Sequence, residues 1–219
     1  MQHRRRSLPL ILSSLLAATL IAAATPVTAA AAAAPTGFWA LKGTLANSAG
    51  TGLKLAKLGT PAFQTVTVKG TDRKALVFAP EQGLKVTGIP QSGRRSYTIE
   101  TWFEFDDMGA AYLRILSFGP NDMDEGLYLF AGYPYLFDDK FREDLVLPAN
   151  TFVRVRVTRD AATNVMRLYL NGKLAFRSTD TTGKYVLRQG TIVLFQDDGD
   201  ENGSGTVAGI KVWNKPVAP

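Results

Sequence analysis

Phe152-Val153-Arg154-Val155-Arg156-Val157 alternates apolar and charged residues with a period of two. That is the period of a strand with one buried and one solvated face. The same alternation runs from Phe38 onward, broken at short intervals by glycine, proline and asparagine, and beyond residue 34 no stretch keeps a helical period for three turns. The pattern restricts the fold to many short antiparallel strands. The clearest are expected at 63–68, 97–105, 112–118, 126–131, 152–158, 165–170, 191–196 and 206–213. In the 152–157 segment the valines face inward; Arg154 and Arg156 could form a glycan- or phosphate-binding stripe, but a solvated outer face is the preferred reading. After a turn at 160–164, Met166, Leu168 and Leu170 alternate in the next strand. Asn171-Gly172 then tolerates the positive φ angles of a tight I′ turn and starts a hairpin into 173–176. Without an internal repeat or a domain boundary, the expected fold is all-β: a single sandwich of two packed antiparallel sheets with roughly ten or more strands.

The first 34 residues break this pattern in the order of a cleavable export signal. Arg4, Arg5 and Arg6 form a charged start, residues 8–24 an almost uncharged apolar run, and residues 25–34 a mostly small-residue exit. Val27-Thr28-Ala29 satisfies the small-x-small requirement and the alanines after it offer further sites, so cleavage is expected between 29 and 34, leaving a domain at 35–219. The apolar run approaches the ~18 residues of a spanning helix, but its alanine-rich end favours cleavage over anchoring. The expected product is secreted or periplasmic and does not span the membrane.

Cleavage also changes the chemistry. The leader holds three of the 25 Lys and Arg residues and none of the 19 Asp and Glu residues, so the net charge falls from +6 to +3. That is too modest a charge to indicate a nucleic-acid partner. The leader contains His3, the one histidine, and the chain has no cysteine. The expected mature chain therefore lacks Ser-His-Asp and Cys-His machinery and the usual zinc and copper ligands. Carboxylates and oxygen-ligated metals are what remain. About 185 residues suffice for one well-buried core, which must be stabilised without disulfides.

Three blocks carry a resemblance. Tyr97-Thr98-Ile99-Glu100-Thr101-Trp102-Phe103 resembles the strand that opens the concave sheet of laminin G-like jelly rolls. Residues 156–160 through 167–173, with Tyr169 and the Asn171-Gly172 turn, resemble their central hairpin, and residues 205–213 resemble their closing strand. The ordered set covers nearly the whole mature chain. It implies the concanavalin A-like lectin and glucanase sandwich, a superfamily of sugar binders, adhesion modules and glycoside hydrolases in which fold does not settle function.

Three groups of residues are candidates for chemistry. In Asp197-Asp198-Gly199-Asp200-Glu201-Asn202-Gly203, the spacing Asp198-x-Asp200-x-Asn202-Gly203 matches the first half of a calcium loop, where alternating oxygens converge on a hard cation. Asp197, Asp198, Asp200 and Asn202 are the candidate Ca²⁺ ligands. Gly209 at the twelfth position rejects an EF-hand, so a further carboxylate would come from Asp138 and Asp139, or from Asp122, Asp124 and Glu125. The same residues also suit a solvated acidic turn.

Glu100, Trp102 and Glu104 share one strand face. Related β-glucanases place catalytic glutamates in an E-x-D-x-E strand motif, but here Trp102 replaces the central acid. An ideal strand separates the two glutamate Cα atoms by ~13 Å, against the ~5–5.5 Å between carboxylates that retaining catalysis requires. The third group is aromatic: Tyr128, Phe130, Tyr133, Tyr135 and Phe137, clustered around Gly132 and Pro134. Tyrosine suits stacking on a sugar ring while hydrogen-bonding its hydroxyls. Tyr133 and Tyr135, read as lying in a turn, are the preferred ligand contacts, with Trp102 and Tyr128 beside them, while core packing is the competing role.

The leading expectation is a non-catalytic, extracytoplasmic binding module for a glycan or an extracellular protein surface, with a candidate structural Ca²⁺. The alternatives are a small glycoside hydrolase using Glu100 and Glu104, and an adhesion or assembly protein with an exposed apolar patch.

Overall fold

In a computed structural model, the chain is described over residues 33–109, 112–119, 124–137, 144–197 and 201–219. The expected export signal lies almost wholly outside these residues. No helix among them is long and apolar enough to cross a membrane.

The period-two segments become strands. In chain order they are β1 (Gly37–Trp39), β2 (Lys54–Leu58), β3 (Ala62–Val68), β4 (Thr71–Phe78), β5 (Gly83–Thr87), β6 (Tyr97–Phe105) and β7 (Tyr112–Ser117). Then follow β8 (Gly126–Phe130), β9 (Tyr133–Leu136), β10 (Val153–Asp160), β11 (Val165–Leu170), β12 (Lys173–Thr179), β13 (Ile192–Leu194) and β14 (Gly205–Trp213). An eight-stranded sheet has the order β12-β11-β10-β6-β14-β4-β3, with β1 also on β14, and a six-stranded sheet has the order β2-β5-β13-β7-β8-β9. Every pairing is antiparallel. The all-β, two-sheet sandwich expected from the sequence is the observed fold.

The alternation in β10 works as expected on its inner face: Val153, Val155 and Val157 are buried while Arg154 is exposed. Between the sheets, Phe78 stacks on Phe195 at 4.7 Å and Phe103 lies 5.2 Å from both Phe105 and Phe195. Burying each such ring contributes roughly 1.5–3 kcal/mol. One end of the sandwich closes on a buried ion pair. Arg159 Nε lies 2.8 Å from Asp180 Oδ2, and Asp180 also accepts the backbone N–H groups of Lys184 and Tyr185.

Three hairpins turn on a residue followed by glycine, both with positive φ: Lys69 (49°) and Gly70 (78°), Ala131 (49°) and Gly132 (82°), Asn171 (48°) and Gly172 (87°). These are the angles a two-residue I′ loop requires. The second of them corrects the sequence reading. Tyr133 and Tyr135 do not lie in a turn, because the chain has already reversed at Ala131-Gly132, and both sit in β9, paired opposite Phe130 and Tyr128. β9 is an edge strand. Pro134 is tolerated there because an edge strand leaves one row of N–H groups unpaired.

Candidate functional site

The larger sheet contains a local break. β14 pairs with β4 through Gly205–Val207, bulges at Ala208, and then pairs with β1 through Ile210–Val212. A bulge adds an unopposed residue and bends its strand. Arg73 of β4 reaches into this break, where its Nη2 donates to the carbonyls of Ala40 at 2.5 Å and Ala208 at 2.8 Å. Burial holds its guanidinium below the usual arginine value.

Over this break lies a groove of about 410 Å³, whose lining includes Phe38, Lys42, Arg73, Trp102, Arg154 and Lys211. Trp102 is half-buried, and its ring packs edge-on against Phe152 at 5.7 Å. The Lys69-Gly70 turn brings Lys69 Nζ to 5.7 Å from the Trp102 ring centre, and Arg73 Cζ lies at the same distance. Lys211 Nζ stands 5.3 Å from the Phe38 ring. Two register rows reach the groove: Arg154, Trp102 and Gly209 in one, and Glu100 and Lys211 in the next, with Arg156 opposite Glu100 outside the lining.

Glu100 also borders the groove, but its charge is already committed. Arg156 Nη2 and Nε lie 2.6 and 2.8 Å from Glu100 Oε2, and Lys211 Nζ is 3.7 Å from Oε1. Arg156 is therefore not the simply solvated outer residue the alternation suggested. It clasps Glu100, lies 5.1 Å from the Trp213 ring centre, and donates to the Val217 carbonyl at 3.3 Å. Glu104 shares the strand face of Glu100, as expected, but does not border the groove. Burial, and secondarily the charge of Asp106, push its carboxyl above the usual carboxylate value. Glu100 is ion-paired at the groove edge, and Glu104 is not among the residues that line this groove.

The remaining aromatic candidates occupy the opposite side of the sandwich. Tyr128, Phe130, Tyr133 and Tyr135 alternate with the core residues Leu127, Leu129 and Leu136, which places them on the outer face of the smaller sheet. Tyr112 joins them, with its ring centre 4.6 Å from Phe130 and 5.4 Å from Tyr135. A small cavity of about 130 Å³ lies among Tyr112, Asp124, Tyr128, Tyr135, Phe137 and Glu201. Tyr128 is 1% exposed. Its hydroxyl accepts from Arg114 Nη2 at 2.7 Å and Nε at 3.1 Å, and burial pushes its phenol above the usual value. Trp102 and the tyrosines therefore do not form one site.

The acidic loop is tied into the same buried cluster. Arg114 Nη2 lies 2.6 Å from Asp197 Oδ1 with both side chains fully buried, and the Asp197 N–H donates to Asn202 Oδ1 at 2.7 Å. These contacts engage both described calcium candidates, Asp197 with a cation of the protein itself and Asn202 with the loop backbone. Asp198 and Asp200 lie outside the described residues, as do Asp122, Asp138 and Asp139. Among the described residues, no group of three or more His, Cys, Asp or Glu side chains is placed to hold a metal ion.

Sequence reasoning missed Phe38, Lys42, Arg73 and Lys211 as groove residues. Phe38 was legible as the start of the alternation. Arg73 lies in Thr71-Asp72-Arg73-Lys74, where a charged run conceals the start of β4.

Residues 79–219 match the laminin G-type family described as the concanavalin A-like lectin/glucanases superfamily. The chain belongs to this family. No curated protein sequence matches it. Among solved structures it is similar to domain 4 of AbnA, a GH43 extracellular arabinanase from Geobacillus stearothermophilus, in complex with arabinotriose. Identity is 14% and the TM-score 0.65, over 86% of this chain and 96% of that one. It is also similar to the botulinum neurotoxin serotype D ligand binding domain in complex with N-acetylneuraminic acid (16%, 0.59, 84% and 48%). A third similar structure is the botulinum neurotoxin type G receptor binding domain (11%, 0.60, 84% and 49%). The chain spans about half the length of these toxin domains. At such identities the likeness is one of fold.

Proposed function

We propose that this chain is an exported, non-catalytic carbohydrate-binding domain that holds an oligosaccharide in the groove over Trp102. The observation that carries this reading is the groove itself, an open cavity of about 410 Å³ with aromatic side chains and several hydrogen-bond donors converging on it. Aromatic surface matches the apolar face of a sugar ring while nearby donors hold its hydroxyls. The arabinotriose and N-acetylneuraminic acid bound by two proteins of the same fold support the ligand class. The pairing of Glu100 with Arg156 and Lys211 supports binding over hydrolysis. An adhesion surface has less support: among the described residues, the exposed large apolar side chains are Val146, in the loop before β10, and Leu174, on β12.

Binding is tested on a glycan array followed by calorimetry, comparing the natural chain with Trp102→Ala and Tyr135→Ala. The expected result is binding that Trp102→Ala abolishes and Tyr135→Ala leaves in place. Loss in Tyr135→Ala alone would move the site to the smaller sheet. Absence of binding to any oligosaccharide would sink the proposal.

A further inference from the structure

We infer that the groove selects an acidic oligosaccharide, one whose sugars carry carboxylate or sulfate groups. The inference rests on the reading that the groove holds a sugar, and it adds the charge of that sugar.

Lys42, Arg73, Arg154 and Lys211 line the cavity, and the carboxylate among its lining residues is Glu100. Lys69 adds another cation beside Trp102. Glu100 offsets little of this charge, because its close partner at 2.6 Å is Arg156, which does not line the cavity, and Lys211 stands farther off at 3.7 Å. Among the described residues, no carboxylate forms an ion pair with Lys42, Arg73 or Arg154. Arg73 spends donors on two backbone carbonyls, which fix its place without neutralising it. The local excess is not a reflection of overall composition, since 22 basic residues face 19 acidic ones beyond the leader. Like charges converging on one cavity repel each other, and an anion in the groove relieves that repulsion.

The register places these charges relative to the aromatic surface. Arg154 is the direct cross-strand neighbour of Trp102 on one side, and Gly209 is the neighbour on the other. Adjacent strands lie ~4.8 Å apart. A sugar ring over Trp102 thus has a guanidinium one strand away, suited to a bidentate grip on a carboxylate or sulfate. On the other side, Gly209 carries no side chain, which leaves space in front of Lys211 and Arg73.

The test is calorimetric titration of the full chain with four probes of matched length: a neutral arabino-oligosaccharide, an oligogalacturonate, a heparin-derived oligosaccharide and a single-stranded oligonucleotide. Arg154→Gln and Lys211→Gln are titrated in parallel, with circular dichroism confirming their fold. The expected result is that at least one acidic sugar binds about tenfold or more tightly than the neutral one. This advantage is expected to shrink with added salt and to fall in both variants. Preference between the galacturonate and heparin probes identifies carboxylate or sulfate as the recognised group. Equal binding of neutral and acidic sugars, unchanged in Arg154→Gln, would overturn the charge selection and leave the sugar groove standing. Oligonucleotide binding as tight as that of the acidic sugars would also overturn it. If no sugar binds, this inference and the proposed function fall together.

Discussion

Arg156 holds Glu100 through two nitrogens, at 2.6 and 2.8 Å from the same carboxylate oxygen, on the outer face of the larger sheet. The contact makes Glu100, an alternative catalytic candidate in the sequence, part of the groove wall. Glu100→Ala would leave a largely buried guanidinium without its partner. A loss of about 1–3 kcal/mol is expected in urea denaturation, with Glu100→Gln losing less because its amide oxygen still accepts.

Arg114 and Asp197 are the more deeply buried pair. Removing one member strands the other charge, so Asp197→Ala is expected to cost about 3–5 kcal/mol. Joint replacement with Arg114→Met and Asp197→Leu should cost less than Asp197→Ala alone, because an apolar pair fills the space without a stranded charge. Denaturant curves for both variants check this. A double variant as unstable as the single would reject the ion pair as the source of the effect.

Glu104 predicts a pH dependence. Its raised value means that the folded chain holds the proton more tightly than the unfolded chain does. Ionisation therefore costs the folded state stability as pH rises through the folded value, and the cost vanishes below the unfolded value of about 4.3. Glu104→Gln should raise Tm near pH 7 by an amount equivalent to less than ~0.5 kcal/mol. Near pH 3 it should leave Tm unchanged. A melting series across this range decides the sign.

Gly209 leaves the groove open. A Cβ there would meet only the Trp39 carbonyl oxygen, at 3.6 Å, which is ordinary contact. Gly209→Leu is therefore expected to fold with a stability change of about 1 kcal/mol or less and to weaken sugar binding tenfold or more. Unchanged affinity in the folded variant would place the ligand elsewhere.

Ala131 sits at φ 49° in the turn between β8 and β9. Glycine adopts this conformation without the Cβ penalty. Ala131→Gly is therefore expected to stabilise the domain by a few tenths to ~1 kcal/mol, read as a higher urea midpoint. Destabilisation would contradict the two-residue turn.

The legibility of the three glycine turns differed for a physical reason. Asn171-Gly172 could be read because asparagine and glycine both tolerate positive φ, so the pair carries its own turn signal. Lys69-Gly70 and Ala131-Gly132 adopt similar angles with a first residue that does not prefer them, and strand pairing on both sides imposes the conformation. The missed turn at Ala131 is what turned β9 into a loop in the sequence reading. β4 was missed because its first half is charged, and that half becomes a strand by pairing with β3.

Alternation, glycine spacing and the ordered family blocks by themselves determined the antiparallel sandwich, the inward valines of the 152–157 strand and the membership of a lectin-like superfamily. These are local properties, set by which side of a strand each residue faces. The site was decided by tertiary structure. Trp102 and the tyrosines went to opposite faces, Glu100 met Arg156 across β6 and β10, and Arg73 reached the bulge on β14. Residues 38, 73, 102, 154 and 211 meet because their strands become neighbours or flank that break, and that order is fixed by the packing of two whole sheets.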